Sequence, residues 1–490
     1  MTDNVIKKLI TKLKDTRRIT DGVQFDDEFY LDYYADVRQA VERGDFKSAR
    51  EHYRLFGCKE GRATDHDIWQ LLRRKFGHGV EPVGTHRWGS LEAKVKPVQG
   101  RLCPDRRPTT NVFIPTMDPD IFFGGYIAFF HFLCRLAEAG TRVRFVVLED
   151  HCDLRWFLKG IAGRERWVKA FEKAEFINLR IRERPLEIHE DDAVIVYSTW
   201  MALMARDIVP MLKSGKAAFF VQEFEPAFHE YGSIGVLSHF PYRVPHVPIF
   251  NTRALHDYFK KHRIGAFSDS VEDHLSFEHN IGAVQPTRSE RQSGKRLLFY
   301  ARPEVHAARN LFEIGILALR AALCAGIIDE SWEVVGIGSL VHQYHVTLDE
   351  AGKFIMPILP RVPEHEYQAF INRFDVGLSL MSSPHPGIVH FEWAVRGIAT
   401  VVNCTPERDR PFFDSYDLPI VPADPDIDGI VRALAKAIEL AKRGYTARGD
   451  ASRSFSCSWD EAFSPQFIAE TISVCAIPIE SQAERAALGI

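Results

Sequence analysis

The 490-residue sequence lacks a surplus of either charge, with 62 Lys and Arg against 66 Asp and Glu and a net charge of −4. Nothing global therefore points to a nucleic-acid partner. Its eight cysteines, at 58, 103, 134, 152, 324, 404, 457 and 475, form no C-x-x-C pair and have no clustered His partners. That spacing argues against a zinc site and a disulfide framework, so no metal is expected and a reducing cytoplasm fits best. No apolar run reaches the roughly 18 to 20 residues that span a bilayer. The nearest, IFFGGYIAFFHFL, carries His131 and two glycines. The opening MTDNVIKKLITKLKDTRR has neither the apolar core nor the small-residue cleavage site of a signal peptide.

What is present is an ordinary globular composition, 46% hydrophobic, long enough for about three domains. Near the start, Ile6, Leu9, Ile10 and Leu13 share one helical face while Lys7, Lys8, Lys12 and Lys14 occupy much of the rest. Residues 5–18 are thus either a packing or partner helix or a contact to an anionic membrane surface. Residues 1–75 read as a helical module whose aromatics, Phe29, Tyr30, Tyr33, Tyr34, Tyr53 and Phe56, form a small core or a glycan platform. Residues 76–108, with several Gly and Pro and no clear period, read as a surface linker.

From Asn111 short apolar runs alternate with helical patterns: NVFIPTM, the helix GGYIAFFHFLCRLAEAG, RVRFVVLE, AEFINLR, AVIVYST, the helix WMALMARDIVPMLKSG and AAFFVQEFE. A second series starts at KRLLFYA and runs through EVVGIG, FIMPILP, the helix PEHEYQAFINRF, VGLSLM, TVVN and the helix IDGIVRALAKAIELAKRG. Such alternation implies right-handed crossovers and parallel sheets, an α/β fold. The break across SDSVEDHLSFEHN and QPTRSERQSGK marks a crossover and hinge, dividing 109–285 from 286–460, with SPQFIAETISVCAI a crossing helix in a 461–490 tail.

Polar residues collect where strands end, the place at which open parallel sheets bind ligands. Gly124 and Gly125 follow the first strand, where small residues admit either a ligand or tight packing. Glu223 and Glu225 follow AAFFV, with His229 close behind. They are suited to acceptor positioning or acid/base work, and one Glu-x-Glu is a weak metal signal. Arg302 and Arg309 flank the loop after KRLLFYA and are suited either to a diphosphate clamp or to surface ion pairs. In the stretch 384–403, Phe391, Ala394, Val395 and Ile398 make a buried helical stripe, and Glu392 lies off it in the first turn. Its carboxylate either accepts from sugar hydroxyls or only complements the helix dipole.

The pattern of Gly387, Ile388, Phe391, Glu392, Ala394, Gly397, Val401 and Val402 resembles the donor signature of nucleotide-sugar glycosyltransferases with two facing Rossmann-like domains, the GT-B fold. More narrowly, PHP followed by FEWAVRG, with NVFIPTMDPDIFFGG, the STW at 198–200 and QEFEP, resembles WsaF-type rhamnosyltransferases of bacterial surface polysaccharides. The chain departs at Pro384, where the broad retaining family has a second Glu, and at Gly387 to His390, where the narrower family has Ser-Tyr-Pro-Pro. The resemblance implies transfer of a sugar, rhamnose from dTDP-rhamnose, onto a glycan or lipid-linked glycan acceptor, with no tightly bound cofactor. It also implies Arg302, Arg309, Arg361, Gly387, Ile388 and Glu392 on the donor side, with Arg361 in the loop beside the base. Gly124, Gly125, Thr199, Trp200 and His229 fall on the acceptor side, and Glu223, Glu225 and Glu392 among the catalytic groups. A non-catalytic nucleotide- or glycan-binding protein on the same fold is the alternative that Pro384 favours.

Overall fold

The computed structural model describes residues 25–57, 62–65, 87–119, 122, 124–150, 152, 154–180, 182, 184–229, 232–268, 273–282, 295–339, 344–360, 362, 364–444 and 455–480. The basic stretch 5–18 and Arg361 lie outside the described residues. The described residues fall into two compact units. One is drawn from Met1–Phe122, Leu136–Ala217 and Cys475–Ile490, the other from Phe123–Arg135 and Ala218–Val474.

In the first unit a short strand β1 (Gly100–Leu102) precedes β2 (Thr110–Ile114), β3 (Val143–Val147), β4 (Glu175–Asn178), β5 (Leu186–Ile188) and β6 (Ala193–Val196). β4, β3, β2 and β6 lie side by side in that order, all parallel, while β1 pairs with β5. The run β2 is buried at every position, as expected of a strand covered on both faces. Segment 76–108, expected to be a linker, contains β1 and the helix Arg87–Val95. That helix ends on buried Arg182, whose Nη1 donates to the Lys96 carbonyl at 2.9 Å, a cation at the negative helix end.

Ahead of it, the expected helical module has helices Asp27–Tyr33, Ala35–Glu42 and Ala49–His52. Phe29, Tyr30 and Tyr53 are its core, with the Tyr30 hydroxyl 3.3 Å from His52 Nδ1, whereas Phe56 is exposed. WMALMARDIVPMLKSG is helical only over Thr199–Met204, followed by a separate 3-10 turn at Val209–Met211 that carries Pro210. Proline has no N–H to extend an α-helix through that point.

The second unit holds β7 (Ala217–Val221), β8 (His246–Asn251) and β9 (Leu275–Phe277), then β10 (Arg296–Tyr300), β11 (Glu333–Ser339), β12 (Tyr344–Thr347), β13 (Ile355–Pro360), β14 (Val376–Leu378), β15 (Ala399–Asn403) and β16 (Ile420–Ala423). β9 lies inside the stretch read as crossover, since a three-residue strand leaves too little alternation to detect. The later strands form one sheet in the order β12-β13-β11-β10-β14-β15-β16, parallel except for β12. Without β12 this is the doubly wound Rossmann order, which reverses between β10 and β14.

Both faces of that sheet are covered. Leu297 and Phe299 pack with the helices Phe312–Cys324 and Ile427–Arg443, and Leu298 between them packs on the other face with Trp393, Ile371 and Ile398. Gly377 in β14 is required there, because a Cβ would lie 2.6 Å from Trp393 Cε3. The helix Pro465–Val474 and its lead-in close the unit. The Phe463 ring packs, tilted, with its centroid 5.6 Å from that of Phe132 and 4.7 Å from that of Phe277, and Arg135 Nε donates to its carbonyl at 3.2 Å.

Candidate functional site

At the reversal point the chain leaves β14 as Ser379 to Gly387, a loop with too few backbone partners of its own. Side chains from elsewhere in the second unit hold it. Asn403, the last residue of β15, accepts from the Met381 N–H at 2.7 Å and returns Nδ2 to the Met381 carbonyl at 2.9 Å. The buried Arg408 guanidinium donates to the carbonyls of Met381 and Pro386. Ser382 N–H donates to the Arg309 carbonyl at 2.8 Å, tying this loop to the one after β10. Gly387 turns the chain with φ +84°, where a Cβ would come within 2.6 Å of His390 Cε1.

Glu223, two residues past β7, reaches this loop. One of its oxygens accepts from the Ser383 hydroxyl and the other lies 3.6 Å from Arg309 Nε. Burial pushes the Glu223 carboxyl up, against the opposing pull of Arg309, Ser383 and Arg408. The Arg309 guanidinium also covers the Phe228 ring at 4.2 Å, a cation–π contact with the 3-10 turn Glu225–Phe228. The run AAFFVQEFE stops being strand at Val221, and the 3-10 turn opens at Glu225 with Pro226 as its second residue.

The same loop contains His385, 3% exposed. Its Nδ1 accepts from the Gly387 N–H at 3.0 Å, and an N–H can only donate, so the ring proton sits on Nε2. Burial, with the Arg408 and Arg309 charges, pulls its pKa down to about 3, and the ring is neutral. His279 is fixed by a longer relay. The Gly125 carbonyl accepts from Gln222 Nε2 at 3.3 Å, Gln222 Oε1 accepts from Asn251 Nδ2 at 2.6 Å, and that same Nδ2 lies 3.2 Å from His279 Nδ1. Because the carbonyl can only accept, it orients both amides and leaves His279 with its proton on Nε2 as well. Burial, with the neighbouring His385 and His131, holds His279 down to about 3.

The residues singled out from sequence divide clearly. Glu223 and Arg309 come together with the loop that carries Gly387. Gly124 backs onto that loop: a Cβ there would lie 3.2 Å from Ile388 Cδ1 and 3.7 Å from His279 Nε2. Gly125 contributes its carbonyl to the relay. Glu225 opens the 3-10 turn, and His229 ends it with its N–H on the Pro226 carbonyl at 3.3 Å. Glu392 is half-buried in the six-residue helix Val389–Ala394, its carbonyl accepting from Arg396 Nη1 at 2.7 Å. Arg302 is committed inward, with Nε on Glu304 Oε2 at 3.1 Å and Nη1 3.3 Å from the Tyr300 hydroxyl. Thr199 and Trp200 belong to the first unit, where both are buried and Lys94 Nζ lies 5.6 Å over the Trp200 ring.

Sequence reading passed over Ser383, His385, Asn403, Arg408, Gln222, Asn251 and His279. One local signal was available: Ser383, His385 and Gly387 are spaced two apart, the spacing of side-chain-to-backbone turns, and the His385 N–H bonds Ser383 Oγ at 3.2 Å. Among the described residues no three His, Cys, Asp or Glu are grouped to hold a metal ion, and no helix is long and apolar enough to cross a membrane.

Comparison with known proteins adds the following. The family model described as WsaF, N-terminal domain, matches residues 109–253, and that described as WsaF, C-terminal domain, matches 295–435. An O-antigen biosynthesis protein, RfbC of Myxococcus xanthus, is 27% identical over 253 residues, which is 51% of this chain but 18% of that protein. Among solved structures, WaaG, a glycosyltransferase involved in lipopolysaccharide biosynthesis, aligns with TM-score 0.46 and 14% identity, over 74% of this chain and 99% of that one. Sucrose-phosphate synthase of Thermosynechococcus elongatus aligns at 0.44 and 11%, over 78% and 98%.

Proposed function

We propose that this chain, which belongs to the WsaF family of GT-B glycosyltransferases, moves rhamnose from dTDP-rhamnose onto a bacterial surface polysaccharide or a lipid-linked glycan acceptor. The observation that carries this reading is Arg309, a guanidinium held beside the loop after β14 at the reversal point of the doubly wound sheet. In this reading residues 109–285 serve the acceptor and 286–460 the donor. Arg309 meets the diphosphate and stabilises its charge as it leaves, and Glu392, with the Gly387 and Ile388 backbone, meets the ribose or the sugar. Arg302 acts indirectly, by fixing the loop through Glu304. Glu223 takes the acceptor hydroxyl's proton while the bond from the sugar's anomeric carbon to the diphosphate breaks and the glycosidic bond forms. A carboxyl raised by burial suits that work near neutral pH. Glu225, His229, Gly124 and Gly125 border the acceptor. A lipid-linked acceptor would also give the basic residues 5–18 a membrane surface on the cytoplasmic side to meet.

The test is acceptor-dependent release of nucleoside diphosphate from a panel containing dTDP-rhamnose and UDP-sugars, beside thermal shifts with dTDP and UDP. A diphosphate present at about 100 times its dissociation constant stabilises the fold by roughly 2.7 kcal/mol. Absence of both turnover and stabilisation would sink the reading.

A further inference from the structure

His385 is placed as a ligand-binding group by its geometry. Its Nδ1 is spent on the Gly387 N–H, and its Nε2, buried and carrying the ring proton, has no hydrogen-bond partner among the described residues. A buried N–H without an acceptor is costly, and native proteins rarely keep one without a use. The ring sits on the loop after β14 at the sheet reversal, where a doubly wound fold receives its ligand.

The surroundings specify the chemistry. His385 lies in the field of two guanidiniums, Arg309 and Arg408, and the buried Nε of Arg408 likewise has no partner among the described residues. Of the carboxyls that act on these cations, Glu223 is already engaged by Ser383 and Arg309, and Glu407 acts on Arg408. The groups left to meet a ligand, His385 Nε2–H and the two guanidiniums, are pure donors. Such a set takes an anionic oxygen in preference to a hydroxyl, which would also need an acceptor for its own proton.

We propose that His385 Nε2–H donates to a phosphate oxygen of the nucleoside diphosphate, making His385 a donor-binding and leaving-group-stabilising residue alongside Arg309. This rests on the glycosyltransferase reading above. The neutral ring matters to the role. It donates without a charge that would have to be taken out of water, and the ring presents the same Nε2–H from mildly acidic to alkaline pH.

Two substitutions separate this role from a purely local one. In His385→Asn the amide oxygen replaces Nδ1 and keeps the Gly387 contact, but no donor reaches the Nε2 position. In His385→Gln the amide nitrogen reaches that position and the Nδ1 acceptor is lost. Calorimetry of dTDP, UDP and the corresponding nucleosides on the full chain is expected to show diphosphate affinity falling roughly tenfold or more in His385→Asn, the scale of a hydrogen bond to a charged group. Nucleoside affinity stays within error, which also reports that the variant is folded, and His385→Gln recovers most of the loss. Parent-like diphosphate affinity in His385→Asn, or a loss in His385→Gln alone, would overturn the assignment and leave the transferase reading intact. Failure of the parent itself to bind either diphosphate would overturn both.

Discussion

Glu223 and Arg309 hold each other across 86 residues of sequence, Oε1 lying 3.6 Å from Nε, with the second carboxylate oxygen on Ser383. In the proposed function these are the residue that takes a proton and the residue that meets the diphosphate. On that proposal a diphosphate at Arg309 would compete with Glu223 and free the carboxylate for the acceptor.

That competition gives the first prediction. Glu223→Gln removes the charge that holds Arg309, so dTDP or UDP is expected to bind severalfold more tightly in calorimetry. Transfer falls in the same variant by about 10² to 10⁴, the range for loss of a general base. Weaker diphosphate binding together with unchanged turnover would count against both roles.

A second prediction separates the two arginines. Arg309→Ala is expected to weaken diphosphate binding by about 1.5 to 3 kcal/mol with little change in melting temperature. Arg302→Ala behaves otherwise. It removes the cation paired with the Glu304 carboxylate, whose side chain is 10% exposed, and breaking a buried pair costs about 3 to 5 kcal/mol of fold stability. Denaturant melts on the two variants beside calorimetry distinguish them.

Acid stability follows from buried imidazoles, His279 and His385 among them. His279 and His385 each sit at about 3 in the fold, against an ordinary value near 6.5 in the unfolded chain. The unfolded state therefore binds more protons between those values. Their stabilising contribution is complete above about pH 6.5 and is lost as pH falls towards 3, by up to roughly 1.4 kcal/mol per pH unit for each ring. Urea melts at pH 7.5, 6.0 and 5.0 are expected to show a falling midpoint, and to show a smaller fall in His385→Asn than in the parent.

Much of this was legible in the sequence where periodicity carries the information. The apolar runs at 296–300, 376–378 and 399–403 and the amphipathic helix Ile427–Arg443 are set by burial on a period the sequence displays. Their place at strand ends brought Glu223 and Arg309 into view and family likeness brought Gly387, and the three converge. What sequence hid were pairings between distant polar residues. Ser383 meets Glu223 across 160 positions, and no local pattern encodes that. Arg408, within the charged run PERDRP, reads as surface and is 1% exposed. Arg302 reads as a free clamp only if Glu304, two residues on, is overlooked. Thr199 and Trp200, which the resemblance puts on the acceptor side, are buried in the first unit.

The last prediction concerns Glu392. The helix it occupies, Val389–Ala394, is six residues long, so little dipole is available for a carboxylate to complement. A dipole role is worth about 0.3 to 1 kcal/mol, and in so short a helix the lower figure applies. Glu392→Gln keeps the side chain's shape and its half-buried packing while removing the charge. If the carboxylate accepts from the donor's ribose or sugar hydroxyls, the variant melts within about a degree of the parent and loses donor affinity, because the weaker amide acceptor replaces a charge-assisted one worth about 1.5 to 3 kcal/mol. Diphosphate alone should distinguish the two hydroxyl sources: affinity for dTDP or UDP falls if the contact is to ribose, and only KM for the nucleotide sugar rises if it is to the sugar. Unchanged kinetics with a lowered melting temperature would assign Glu392 to the fold and remove it from the donor site.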